Sequence, residues 1–232
     1  NIKNKNFYTY GIDKNANFQI LNVTQKPNFS KFDLKINIPA NKKIIKNIKI
    51  PLIGIHNIKN VTSAVAVAFC IGISEKIIKK GLSTFKGVQR RFNFLFEKNN
   101  SLFFDDYAHH PTEIKSVLQS ARMTYGDRKI ISVFQPHRYS RLKFLKKDFA
   151  SSFKNSSLVI LCPVYPAGEK IDKRYNEIEF AKLIAKNSKV QVITIKNEKD
   201  LKKFFLKNLI SNELVICMGV GSISKWIREM VL

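Results

Sequence analysis

Two carboxylates, a tyrosine and two histidines crowd into the stretch FFDDYAHHPTE, Phe103 to Glu113. An apolar run ends in Asp105 and Asp106, and Tyr107, Ala108, His109 and His110 lead to Pro111. Acids and imidazoles in this density suit the capture of a charged ligand, and Asp105, Asp106, His109 and His110 have the chemistry to bind a divalent metal, as in a phosphoesterase. A second group, VFQPHRYSRLKFL, presents His137, Arg138 and Arg141. Arginines three apart share a face on the first turn of a helix, and such a cationic fork suits bidentate capture of a carboxylate or phosphate, although solvated arginines are the ordinary alternative. In GIHNIKN, Asn57 and Asn60 lie one turn apart behind His56, placed either to read a base or phosphate or simply to cap a helix. Arg90 and Arg91 form a fourth group, a charge clamp or ordinary surface. All four histidines fall at helix starts or strand-to-helix turns.

These residues need elements to hold them. Pro111 suits the first helical position, Glu113 complements the helix dipole, and Ile114, Val117, Leu118 and Ala121 recur at helical spacing, which predicts a helix over 111–124 behind the Asp-His turn. The runs KIISVF, SLVILC, VQVITI and ELVICM lack polar alternation, as strands covered on both faces do. Strands are expected near 92–97, 101–105, 129–134, 157–162, 189–195 and 213–218. Helices are expected near 111–124, 140–154, 176–186, 198–209 and 222–231. The alternation describes a doubly wound, Rossmann-like α/β domain with a mostly parallel sheet. The strand before PHRYSR is expected beside the strand before DDYAHHP, so that both turns open on one edge, where such sheets bind ligands.

Earlier in the chain, FYTYGI, FQILNV, KFDLKINI and KKIIKNIKIPL read as short antiparallel strands. They are followed by a small-residue helix over Asn57 to Gly72 and a second helix capped by Ser74. Gly87 punctuates the sequence, and the junction falls at about residue 88, giving domains 1–88 and 89–232. The opening at Asn1, directly into strand-like sequence, suggests the back part of a longer protein.

Composition narrows the class. With 232 residues and 44% hydrophobic content the chain can fill a core. No apolar run approaches the roughly 20 residues of a membrane span, so no membrane partner and a cytoplasmic location are expected. The net charge of +24 comes from lysines scattered among Asn and Ile, which reads as codon preference rather than a nucleic-acid-binding patch, although an anionic substrate would still be drawn in. Cys70, Cys162 and Cys217 are far apart in apolar surroundings and read as reduced thiols. Gly219 and Gly221 in MGVGSIS follow a strand without completing a dinucleotide fingerprint, and no Gly-x-x-x-x-Gly-Lys-Ser/Thr loop occurs.

Taken in order, GIHNIKNVTSAVAVA, FKGVQRRF, FFDDYAHHPTEI, FQPHRYSR, CPVYPAGE and MGVGSISKW resemble the Mur ligases over nearly the whole chain. The pairing of DDYAHHPTE with PHRYSR resembles the alanine-adding members, with the ligases that recycle murein tripeptide as the alternative. The resemblance implies the tail of a central ATPase domain followed by a complete C-terminal domain. It also implies an ATP-dependent ligase that phosphorylates the carboxylate of UDP-N-acetylmuramate and lets the amine of L-alanine attack the acyl phosphate. By the family's pattern His56, Asn57, Asn60, Arg91, Asp106 and His110 contact ATP, Asp106 at the ribose. Tyr107, His109, Arg138 and Arg141 line the amino-acid pocket, and Arg91 and His109 serve catalysis. Magnesium is implied with ATP, its ligands expected in a part preceding this chain, so residues 1–232 alone are expected to be inactive. Ser222 departs from the pattern, standing where the family usually has Asp.

Overall fold

A computed structural model describes residues 7–27, 29–39, 41–85 and 88–230; Gly87, expected to mark the junction, lies outside the described residues. The chain divides into two compact units, Asn1–Gly87 and Val88–Leu232.

The first unit carries β1 (Tyr10–Gly11), β2 (Phe18–Lys26), β3 (Phe29–Ile38) and β4 (Asn41–Ile50) in one sheet in that order, then α1 (Ile55–Cys70) and α2 (Glu75–Thr84). Alternation puts Phe32, Leu34 and Ile36 of β3 into the core, where Ile58, Val61 and Val65 of α1 meet them. The pairs β2–β3 and β3–β4 are antiparallel as expected, but β1 runs parallel to β2. A reciprocal side-chain clasp closes the loop between them. The Thr9 amide donates to Asn17 Oδ1 at 2.9 Å, and the Asn17 amide donates to Thr9 Oγ1 at 3.1 Å. Helix α1 also starts two residues earlier than its composition suggested, directly after Gly54, whose φ of 98° is available to glycine at little cost.

In the second unit β5 (Asn93–Lys98), β6 (Ser101–Asp106), β7 (Lys129–Phe134), β8 (Leu158–Leu161), β9 (Gln191–Thr194) and β10 (Glu213–Met218) form a sheet of order β5-β6-β10-β7-β8-β9. Only β5 pairs antiparallel; it is joined to β6 through Asn99 and Asn100, both left-handed, as a two-residue hairpin turn requires. The intervening helices are α3 (Pro111–Tyr125), α4 (Tyr139–Phe144), α5 (Lys146–Ala150), α6 (Glu177–Ser188), α7 (Glu198–Asn208) and α8 (Ile223–Arg228). The single helix expected over 140–154 is thus two short ones, separated where Leu145 leaves helical geometry at φ −111°, ψ 19°.

Strand β10 explains both faces. Leu214, Ile216 and Met218 join the core that includes Ile114, Val117 and Ile184, while Val215 and Cys217 join the one that includes Leu201, Phe205 and Ile227. All six residues of β10 are buried, so it sits between β6 and β7, and those two strands are not neighbours as the sequence suggested. The strand buried along its whole length sits inside the sheet, where both of its faces are covered. Their C-terminal ends still open on one edge, since β6, β10 and β7 are mutually parallel. Truncating Ile216 to Ala should destabilise the protein by about 2–5 kcal/mol, read as a lower urea midpoint with unchanged slope.

Candidate functional site

The C-terminal ends of β6, β10, β7 and β8 release four turns on one edge of the second unit. Those after β7 and β8 are stitched together: the Tyr165 amide donates to the Pro136 carbonyl at 2.8 Å, and the Arg138 amide donates to the Tyr165 carbonyl at 2.9 Å. Across the turn after β10, Gln135 Nε2 donates to Ser222 Oγ at 3.0 Å, and its Oε1 accepts from the Ile223 amide at 3.1 Å.

The two aspartates do not open into this edge. Successive strand residues face opposite sides, and both acids are buried. Asp105 Oδ2 accepts from Ser224 Oγ at 2.6 Å and from Arg228 Nη2 at 2.9 Å and Nε at 3.1 Å, which fastens α8. Asp106 Oδ1 accepts from the Ala108 amide at 2.7 Å and Oδ2 from the Phe92 amide at 2.8 Å. Burial lifts the Asp106 carboxyl to about 7 against the opposing pull of these two amides and Arg91, with Glu113 adding to the rise. Each Asp106 oxygen thus accepts one backbone amide, which holds the carboxyl at the end of β6. Among the described residues no three His, Cys, Asp or Glu side chains could hold a metal ion, so the metal-dependent reading of Asp105, Asp106, His109 and His110 lacks a ligand set.

Arg90 and Arg91 divide their labour. Arg90 Nη2 donates to the Gly219 carbonyl and Nη1 to that of Val220 at 3.3 Å, while its own carbonyl accepts from the Tyr107 amide at 2.7 Å. It is spent on holding the turn after β10. Arg91 is left half-exposed, 5.6 Å over the Tyr107 ring and 3.9 Å from Glu113.

The imidazoles are fixed by their neighbours. His109 Nδ1 lies 2.9 Å from the Tyr107 carbonyl and 3.2 Å from Glu113 Oε2; both are acceptors, so Nδ1 carries the proton. His137 Nδ1 lies 3.1 Å from Arg141 Nη1, and a guanidinium only donates, so here Nδ1 is bare and Nε2 holds the proton. Burial pushes the His137 imidazole down in pKa, and Arg141, His109 and Arg138 push the same way against Glu169, which keeps the ring neutral at pH 7. His137 stacks on Tyr165 with centroids 5.8 Å apart and stands 6.0 Å from His109, which is itself 5.2 Å from Tyr107. Tyr107, His109, His137 and Arg141 thus form one continuous row. Arg138 stands exposed beside it at φ 69°, a left-handed backbone unusual for a side-chain-bearing residue. His110 is exposed and caps α3, its Nδ1 accepting from the Thr112 amide at 3.3 Å.

This edge has known relatives. The Mur ligase glutamate ligase domain matches residues 90–221, and the Mur ligase middle domain matches residues 1–68. The chain belongs to the Mur ligase family. A UDP-N-acetylmuramate–L-alanine ligase of Pelagibacter ubique is 52% identical over 230 residues, covering 99% of this chain and 50% of the relative. One of Methylorubrum populi is 36% identical over 97% of this chain and 48% of its own length. The chain therefore spans about half the length of these curated relatives. Among solved structures, a UDP-N-acetylmuramate–alanine ligase of Thermotoga maritima shares the fold with a TM-score of 0.75 at 24% identity, over 96% of this chain and 46% of that one. A murein peptide ligase of Psychrobacter arcticus does so at 0.63 and 21%, over 97% and 47%.

The remaining residues named from the sequence of this Mur ligase chain lie at the head of α1. In the first unit Asn57 is buried and its Nδ2 donates to the Ile53 carbonyl at 2.8 Å, His56 is half-buried, and Asn60 is exposed one turn on. Gln135 and Tyr165 lie inside the quoted motifs without having been given a role there, Glu113 gains contacts beyond the helix dipole, and His137 gains one beyond its mere position in a turn. One signal was available for the turn after β10. A Cβ on Gly221 would lie 2.4 Å from the Tyr165 ring, so the second glycine of MGVGS leaves room for the ring that stacks on His137. The raised Asp106 pKa implies a pH dependence of stability. The folded state holds this proton up to about pH 7 while the unfolded chain releases it near 3.8, so stability falls as pH rises between those values. Urea melts should show that loss in the parent protein relative to Asp106→Asn, whose profile lacks this contribution.

Proposed function

We propose that this chain forms the amino-acid pocket and part of the nucleotide site of a cytoplasmic UDP-N-acetylmuramate–L-alanine ligase of peptidoglycan precursor synthesis. The observation that carries the reading is the row in which Arg141, braced on His137, stands across from His109. A zwitterion needs a cationic fork at one end and a place for its amine at the other. Arg141 with Arg138 supplies the fork, the His137 Nε2–H adds a donor to the carboxylate, and Tyr107 and His109 line the amine end. The 52% identity to a ligase of that name supports alanine as the amino acid.

In this reading ATP phosphorylates the muramyl carboxylate, the L-alanine amine attacks the acyl carbon, and phosphate leaves. Arg91, half-exposed beside Tyr107, meets the spreading negative charge of phosphoryl transfer. In the first unit Asn57 and Asn60 are read as adenine contacts with His56 beside them; in the second His110 is read as a nucleotide contact and Asp106 as a residue held in place by the Phe92 and Ala108 amides. Magnesium accompanies ATP in such reactions, and the described residues hold no ligand cluster for it.

In a full-length protein containing this chain, Arg141→Ala should raise the KM for L-alanine about 10–100-fold, the loss of a charge-assisted bidentate contact, with the KM for ATP little changed. Phosphate release that ignores L-alanine, or an Arg141→Ala protein with unaltered alanine KM, would overturn the reading. Residues 1–232 alone should show no alanine-dependent ATP turnover in a coupled ADP assay.

A further inference from the structure

We infer that Glu113 is a positioning residue that presents His109 Nε2 as the proton acceptor for the incoming amine; the inference rests on the pocket reading above. The two imidazoles of the edge, 6.0 Å apart, are set in opposite tautomers. Arg141 occupies Nδ1 of His137, so that ring offers an N–H and has no accessible lone pair. The Tyr107 carbonyl accepts the Nδ1–H of His109 at 2.9 Å and the Glu113 carboxylate stands 3.2 Å from the same nitrogen, so that ring, when neutral, keeps its lone pair on Nε2. One imidazole suits a carboxylate and the other an amine.

The other acids near this edge are committed elsewhere. Asp105 is tied to Ser224 and Arg228, Asp106 to two amides, and Glu169 accepts from the Ser140 amide at 3.1 Å. Glu113 Oε2 also accepts from the amides of His109 at 3.0 Å and His110 at 3.2 Å, so the carboxylate is anchored by backbone before it meets the ring. A carboxylate fixed on Nδ1–H with Nε2 facing the reactant is the arrangement by which an imidazole is oriented to accept a proton.

L-alanine arrives as the ammonium and loses one proton to solvent. The amine nitrogen then forms its bond to the acyl carbon, the carbon–oxygen bond to phosphate breaks with its electron pair leaving on phosphate, and the second nitrogen-bound proton passes to His109 Nε2.

Because Glu113 also caps α3, the test must separate the two roles. In the full-length protein Glu113→Gln keeps an oxygen for the amides and removes the charge, so its melting temperature should stay near that of the parent. Its kcat should fall at least about tenfold with the KM for L-alanine within about threefold. Selective ¹⁵N-histidine spectra of the parent protein should show His109 protonated on Nδ1 and bare on Nε2, and His137 the reverse. A Glu113→Gln protein with undiminished kcat, or a neutral His109 protonated on Nε2, would overturn the inference even if Arg141→Ala still raised the alanine KM. Loss of that Arg141 effect would instead remove the pocket reading beneath it.

Discussion

Two neighbouring carboxylates buried at the end of one strand govern this edge of the sheet. Taking a carboxylate out of water costs several kcal/mol unless donors meet it, and the alternation of β6 sends Asp105 and Asp106 to different layers. Each must therefore recruit its own donors. Asp105 gathers Ser224 and Arg228 and so fixes α8, and Arg90 Nε approaches it at 3.8 Å while the same guanidinium seals the turn after β10. Asp106 gathers the amides of Phe92 and Ala108 and so fixes the residues that follow Arg91 and Tyr107.

What remains for chemistry are groups one to seven residues beyond the ends of β6 and β7. Their orientation is inherited from that framework. Tyr107 is held by the Arg90 carbonyl, His109 by the Tyr107 carbonyl and Glu113, and Arg138 by the Tyr165 carbonyl. The left-handed backbone of Arg138, and those of Arg90 and Phe92 on either side of Arg91, are the kind of local strain that persists where surrounding contacts over-determine it. The edge is rigid where the acids hold it, and its charged tips stand at the surface.

Much of this was legible in the chain itself. Unbroken apolar runs such as KIISVF and ELVICM announced a sheet covered on both faces, and Pro111 with Glu113 marked the start of α3 within a residue. Motif order gave the family, and the shared edge followed from parallel strands. What resisted reading depended on partners distant in sequence. Adjacent aspartates look like one cluster in a string of letters and become two opposed anchors only on a pleated strand. The parallel pairing of β1 is accompanied by the Thr9–Asn17 clasp, and the tight space at Gly221 is made by the ring of Tyr165.

The central place of β10 has a consequence for how the unit is made. The strand that is last in sequence order separates β6 from β7, and its contacts with β6 join residues as far apart as Ser101 and Glu213, 112 positions away. Loop closure over such a span must precede the reward of pairing, which slows folding and leaves β6 and β7 with unmet edges meanwhile. On a translating ribosome those two strands emerge well before the one that will part them, and direct pairing of β6 with β7 is a misfolded register that must be avoided or undone before the chain can close.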